Sequence, residues 1–420
     1  MVDHHKSVKI LFPMLLLWAD VTCFGFAESI DLPVDEHGDY TASDMIEWIN
    51  SHHQGYVHPS LRIGRRIPGD PNSIIGTFVS SDAKAIEAGE IIATIPWDCI
   101  IGPGNEYSTS TFESCKAIHN LAAELKLGDK SQYKPYVNYL MTQSMKMMPA
   151  EWSDAAQTFL YNQILGAELP PFHADWFQAA RYKDWLEDCR GNPNDALERF
   201  AFYLTSTRDE DTLMIPIYDM MNHSNDPNKL NTLSYKPTKA GDPFVFKASR
   251  RIEQSEEIFN CYNRCNVCSE HFREECETFS YRGTPDIFAH YGFVEEFPHY
   301  WWFERQTDNG IVEIEFCLEK TEITGKWEVI WIGSTPSDAD MAHYTQHLER
   351  LERIKTEKHA LGVQLVQSYE QDLSEGKMTR FEWDACWNYH DVLVTILSAV
   401  LDSIGKIKGG ELENDINDEL

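Results

Sequence analysis

A chain of 420 residues is too long for one small core and points to two or three domains. With 42% hydrophobic and 12% aromatic residues, and an ordinary 23 Gly and 19 Pro, it is neither disordered, collagen-like nor low-complexity. Its 36 basic residues face 67 acidic ones, and a net charge of -31 repels phosphate backbones, which excludes a nucleic-acid binder held by counterion release but allows a Lys-rich protein partner or plain solubility.

Residues 1–27 read as a signal peptide. Lys6 and Lys9 precede an apolar run over 10–19, interrupted by Pro13, and Gly25 and Ala27 suit cleavage. The run falls short of the ~20 apolar residues that span a bilayer, so no transmembrane segment is expected in the mature chain. The competing reading is an uncleaved amphipathic N-terminus. Residues 28–59 form a polar linker and a helix, capped by Thr41 or Ser43, with Ile46 and Ile49 on its apolar face. Residues 74–79 and 90–95 are β-rich runs, the second preceded by a turn at Ala88-Gly89. Residues 111–206 are mostly helical by pattern, with Leu121, Leu125, Tyr136 and Leu140 as candidate core and breaks at Pro149 and Pro170-Pro171.

A strongly apolar run follows at 213–221 and reads as a strand. Short strands are expected at 244–247 and 257–262, and a small β element at 301–303, 312–318 and 327–332. Two long amphipathic helices are expected at 337–374 and 379–405. Met341, Tyr344, Leu348 and Leu351 mark one face; Phe381, Trp387, Val394 and Leu397 mark the other. Residues 409–420 are an acidic tail ending Asn417-Asp418-Glu419-Leu420, which resembles the Lys/His-Asp-Glu-Leu retrieval signal. Leader and tail together point to the lumen of the endoplasmic reticulum. Phe24 resembles the aromatic of a complex-plastid leader. Glu28, Asp31, Asp35, Glu36 and Asp39 follow it, and transit peptides are poor in acids, so plastid and simple secretion rank second.

Four segments stand out as carriers of chemistry. The first is Ile86-Glu87-Ala88-Gly89-Glu90-Ile91-Ile92 with Ile95-Pro96. The second is Met214-Ile215-Pro216-Ile217-Tyr218-Asp219-Met220-Met221-Asn222-His223-Ser224. The third is Ile252-Glu253-Gln254-Ser255-Glu256-Glu257-Ile258-Phe259-Asn260-Cys261-Tyr262. The fourth is Thr284-Pro285-Asp286-Ile287-Phe288-Ala289-His290-Tyr291-Gly292-Phe293-Val294-Glu295. In order and content they resemble the SET-domain protein methyltransferases. The closer likeness is to the split-SET subgroup with a helical C-terminal lobe, which includes the Rubisco lysine methyltransferases and the actin histidine methyltransferases. The likeness covers roughly residues 60–300, and more loosely the helices to 405.

The resemblance implies an α+β chain: a SET-domain fold of short β-sheets over 60–300, with a helical insert at about 102–206 and a Cys-rich insert at 261–283, then a mostly helical C-terminal lobe at 301–408. It implies methyl transfer from S-adenosyl-L-methionine to a protein side-chain nitrogen, with lysine the first candidate and a basic segment as the partner. Two rivals use the same fold: a non-catalytic peptide-binding module, and a lumenal thiol or zinc protein.

The resemblance also assigns roles. Asn222 and His223 would hold the adenine and amino-acid ends of the cofactor, partly through backbone groups. Arg208 would meet its carboxylate, where a guanidinium fork fits. Tyr262 would be the catalytic tyrosine, and Tyr291 would line the acceptor channel. The plainer alternatives are a turn cap and a core histidine, a surface ion pair of Arg208 with Asp209, Glu210 or Asp211, and core packing of the tyrosines. Gly76 and Phe78 belong to the first cofactor loop, usually Gly-x-Gly with a bulky residue after it. Here Ile74 stands at the first glycine, and its Cβ is expected to hinder close backbone approach. Asn263 follows Tyr262 where glycine or aspartate is familiar, a mild change because Asn tolerates left-handed geometry.

Cys261, Cys265, Cys268 and Cys276, with His271 among them, form a cluster in which Cys265-x-x-Cys268 has zinc-knuckle spacing. In an oxidising lumen the same residues suit disulfides equally well. Redox catalysis lacks the surrounding βαβ pattern. Removal of residues 1–27 would take one of ten cysteines and leave an odd number.

Overall fold

The computed structural model describes residues 33–34, 40–70, 73–107, 111–143, 145, 148–166, 168–170, 174–210, 212–226, 228–262, 283–307, 310–320, 325–332, 334–359 and 364–409. Helix α1 (Ser43–Ser51) buries Met45 and Ile49, one turn apart, and leads into strands β1 (Tyr56–Val57), β2 (Leu61–Arg65), β3 (Ile75–Val79) and β4 (Ile91–Ile95). The helical insert holds α2 (Thr111–Leu127), α3 (Lys134–Leu140), α4 (Asp154–Thr158), which runs on into a π-helical stretch at Phe159–Leu165, α5 (Ala174–Glu187) and α6 (Ala196–Arg208). Then come β5 (Asn222–His223), β6 (Thr232–Tyr235), β7 (Phe244–Ala248), β8 (Glu257–Asn260) and α7 (Thr284–Tyr291). The C-terminal part is a hairpin pair, β9 (His299–Thr307), β10 (Gly310–Lys320) and β11 (Trp327–Ile332), followed by α8 (Asp338–His359), α9 (Gln364–Ser374) and α10 (Arg380–Gly409).

Three small sheets result. One has the order β1-β4-β7-β6, one β2-β3-β8-β5, and one β11-β10-β9. All neighbours are antiparallel except β5 and β8, which run parallel. In β7 the inward residues Phe244, Phe246 and Ala248 alternate with half-buried ones, the period-2 pattern of a strand with one face on the core. Asp195 caps α6 by accepting from the Leu197 and Glu198 amides, and this fixes where the helix delivers its last residue, Arg208.

Two hydrophobic cores hold the chain. The first joins the two N-terminal sheets to α2, α3 and α6 through residues such as Ile63, Ile95, Leu121, Tyr136, Leu204 and Phe246. The second is aromatic, built from Trp152, Phe159, Phe288, Trp301, Trp387 and Tyr389 among others. Residues of the insert around 152–169 therefore pack with the C-terminal helices and not with the first core. Glu382 locks this arrangement. Its buried carboxylate accepts from the Ser153 amide at 2.7 Å and from the Thr379 amide at 2.6 Å. The Phe288 and Tyr389 rings stack at 3.9 Å, tying α7 to α10. A disulfide joins Cys115 of α2 to Cys189 just after α5. Cys317 of β10 is also disulfide-bonded. No described helix is long and apolar enough to cross a membrane.

Three expectations differ from the structure. The apolar run at 213–221 is not a strand. Leu213 pairs only with Glu210 and Met214 only with Ile101, both as isolated bridges, and the chain then turns at Tyr218–Met220 before β5. The turn opens at Ile217 with φ 70°, an unusual conformation for a β-branched residue. The expected helix at 337–374 is two helices, α8 and α9. The segment 284–291, read only as a motif, is helix α7, with Pro285 in its first turn and Gly292 at its C-cap.

Candidate active site

The parallel pairing of β5 with β8 sets Asn222 opposite Phe259 and His223 opposite Asn260. Chain segments far apart in sequence thereby meet beside one cleft of about 1710 Å³. Its lining includes Arg208, Asp219, Asn222, His223, Tyr262 and Tyr291. Asn222 and Tyr262 thus face the same space.

Each side chain is held by identifiable partners. Asn222 Nδ2 donates to the Ile75 carbonyl at 3.0 Å and to Glu257 Oε1 at 2.7 Å, which uses both of its hydrogens and leaves Oδ1 as an acceptor. Arg66 Nε donates to the other Glu257 oxygen at 2.9 Å. Gly76 sits against this group. A Cβ there would fall 2.6 Å from Asn222 Nδ2 and 2.7 Å from Glu257 Oε1, so the glycine is required by packing. Phe78 is buried beneath, under the Arg62 guanidinium, and is not among the cleft residues. Ile74, expected to obstruct the loop, is half exposed on the cleft wall, and the tight position is Gly76.

The His223 ring is engaged within the protein. The Tyr262 amide donates to Nδ1 at 2.9 Å, so Nε2 carries the proton and donates to Glu295 Oε1 at 2.8 Å. Thr284 Oγ1 donates to the other Glu295 oxygen at 2.6 Å. Any ligand contact at His223 falls to its backbone. The ring itself ties β5 to the end of β8 and to the loop after α7.

Tyr262 donates its hydroxyl to the Met221 carbonyl at 2.7 Å. Its ring lies 5.0 Å from Tyr291 and 5.1 Å from His223, and Phe293 lies 5.9 Å from Tyr291, which makes an aromatic corner. Burial, then the neighbouring Tyr291, push the Tyr262 phenol above its ordinary value, so it stays neutral.

Arg208 borders the cleft, and its guanidinium bonds to inner partners. Nη1 donates to Tyr139 Oη at 3.2 Å and to the Asp219 carbonyl at 3.0 Å, and Nη2 donates to Gln143 Oε1 at 2.5 Å. Asp219 Oδ2 lies 3.7 Å from Arg208 and accepts from Tyr136 Oη at 3.0 Å, while the buried Oδ1 has no hydrogen-bond partner among the described residues. Burial lifts the Asp219 carboxyl from 3.8 to about 6, against the lowering effect of Arg208. Asp219, Glu257 and Glu295 were not singled out by the sequence. Each stands inside a motif, but short motifs do not tell which acid turns inward.

Residues 83–263 match the family model described as "SET domain". That segment is similar to a SET domain. Among solved structures, one that resembles it is described as "Crystal structure of the SET domain of LSMT bound to Lysine and AdoHcy", at 13% identity, covering 89% of this chain and 92% of that one with a TM-score of 0.50. At that identity the likeness concerns the fold, an α+β SET architecture with a helical C-terminal region. No curated protein matches the chain. Of the cysteine cluster, Cys261 is buried beside Tyr262 in the SET cleft, whereas Cys265, Cys268 and Cys276 lie outside the described residues. Among the described residues no group of metal-ligating side chains includes Cys261.

Proposed function

We propose that the chain is an S-adenosylmethionine-dependent protein methyltransferase whose acceptor is a lysine side chain. The observation that carries this reading is the pairing of opposite charges at one end of the cleft. The cofactor's amino-acid end presents a carboxylate and an ammonium. Arg208 has its Nε–H and one Nη2–H without partners among the described residues, and Asp219 Oδ1 is an orphaned buried acceptor beside it. Buried polar atoms are nearly always satisfied, so an unpaired carboxylate oxygen on a residue that borders the cleft suits a cationic ligand. Asn222 Oδ1 is a further acceptor on the same wall.

When bound, the cofactor supplies an electrophilic methyl group. The protein's part is positioning and exclusion of water. Tyr262, Tyr291 and Phe293 form an aromatic wall that favours an alkylammonium stem and keeps bulk water away. Tyr262 stays protonated and so does not serve as the base. It orients the incoming nitrogen through its hydroxyl oxygen, itself fixed on the Met221 carbonyl. The neighbour's description as bound to lysine and AdoHcy supports lysine over histidine as acceptor.

The domain division, a SET domain over 60–300 and a C-terminal lobe over 301–408, belongs to the same proposal; the first core supports it, while the second core crosses the boundary by taking in residues 152–169 and Phe288. An oxidising compartment such as the endoplasmic reticulum lumen is supported by the Cys115–Cys189 disulfide and the bonded Cys317. The test is transfer of labelled methyl from S-adenosylmethionine to lysine-containing proteins. Tyr262→Phe should lower kcat roughly 10²–10³-fold, the usual cost of one preorganised polar group, with little change in cofactor affinity. Full activity in that variant would remove the proposed role.

A further inference from the structure

Far from the cleft, three side chains with metal-ligand chemistry converge where the helical insert meets the C-terminal lobe. His343 and His347 stand one turn apart on α8. Glu168 follows the π-helical stretch at the end of α4. Glu168 Oε2 lies 2.9 Å from His347 Nε2 and 3.8 Å from His343 Nδ1, and the three ligand atoms all lie within 4.8 Å of one another. Neighbouring ligands of a tetrahedral zinc with bonds of 2.0–2.1 Å stand about 3.3 Å apart, so the two distances bracket the required spacing. The imidazole rings are 4.4 Å apart and nearly perpendicular, close enough to share one ion. Two imidazoles and a carboxylate are a donor set that suits zinc, with a water completing the shell.

We propose that Glu168, His343 and His347 bind one zinc ion that staples the helical insert to the C-terminal lobe.

The opposing group is Arg350, whose Nη2 lies 3.3 Å from His347 Nδ1. That guanidinium is committed to the backbone carbonyls of Gln163 and Ile164, the latter at 2.8 Å. A metal on Nε2 moves the ring proton to Nδ1. That sets Nδ1–H against an Arg350 N–H at 3.3 Å, the longest contact Arg350 makes here, so the ring must turn slightly away from the guanidinium. Glu168 is the adaptable member: its side chain is 60% exposed, against 7% for His347, and it can swing to meet an ion.

The site is testable on the full chain after chelation and dialysis. Zinc titration followed by metal analysis should show one more tightly held ion in the wild type than in a His343→Ala/His347→Ala variant. Glu168→Gln, a change at an exposed position that leaves packing intact, should weaken that ion about tenfold or more, since even groups that merely orient ligands cost that much. Cobalt in place of zinc should give ligand-field bands without thiolate charge transfer, which separates this site from any cysteine site. Zinc should raise the Tm of the wild type but not of the double variant. Equal zinc content and affinity in wild type and Glu168→Gln, or cobalt bound only through thiolate, would overturn the proposal.

Discussion

At the scale of single residues, Asp219 carries the most information. It is buried, its Oδ1 lacks a partner among the described residues, and it lies beside Arg208. Its carboxyl is raised from 3.8 to about 6, so the folded state binds a proton more tightly than the unfolded state. The stability this contributes is fully present below pH 3.8 and is lost as pH rises through about 6. Affinity for a cationic cofactor should run the other way and increase over the same window, because only the ionised carboxylate offers charge to an ammonium. Asp219→Asn should flatten both profiles. Calorimetry and thermal melts across this pH range would read them, and an unchanged affinity profile in the variant would separate Asp219 from ligand binding. Gly76 makes a second point at this scale. Gly76→Ala should push Asn222 and Glu257 apart and weaken cofactor binding, because both neighbours sit under 3.0 Å from the new Cβ and both are anchored. Retention of full affinity in that variant would contradict the packing argument.

At the scale of elements, the disulfide between α2 and the end of α5 closes a long loop, with a sequence separation of 74. Loop-closure entropy gives it about 4 kcal/mol, so replacing both cysteines by serine should lower unfolding stability by a similar amount in urea titration. A negligible change would mean that the insert is held by packing alone. Much of the site was legible at this level. Asn222, His223, Arg208, Tyr262 and Tyr291 all line one cleft, because each sits in a segment whose order is distinctive. Less was legible where burial, not pattern, decides. The run at 213–221 is apolar on every side, so its residues carry no period to separate a strand from a turn. The His223 ring points to Glu295, a partner remote in sequence and invisible to local reading. Short strands such as β1 and β5, two residues each, are defined by their neighbours and not by their own composition. The Cys115–Cys189 pairing likewise depends on how the helices of the insert cross.

At the scale of the whole molecule, the net charge of -31 does not extend uniformly into the cleft. Arg65, Arg66 and Arg250 line it together with Glu210, Glu256 and Glu296. A basic segment would therefore be drawn in by the overall field but read locally by mixed charges, so association should slow with added salt more than affinity changes once bound. The two cores share the insert, and Glu382, Phe288 and Tyr389 tie the insert and α7 to α10. The central claim is that the segments ending at Asn222 and Tyr262 frame one donor pocket. Calorimetric titration of the full chain with S-adenosylmethionine tests it most directly. The account predicts saturable binding at one site per chain, lost in Arg208→Ala and Asn222→Ala variants that still fold. Absence of binding by the wild type, or binding untouched by both substitutions, would contradict it.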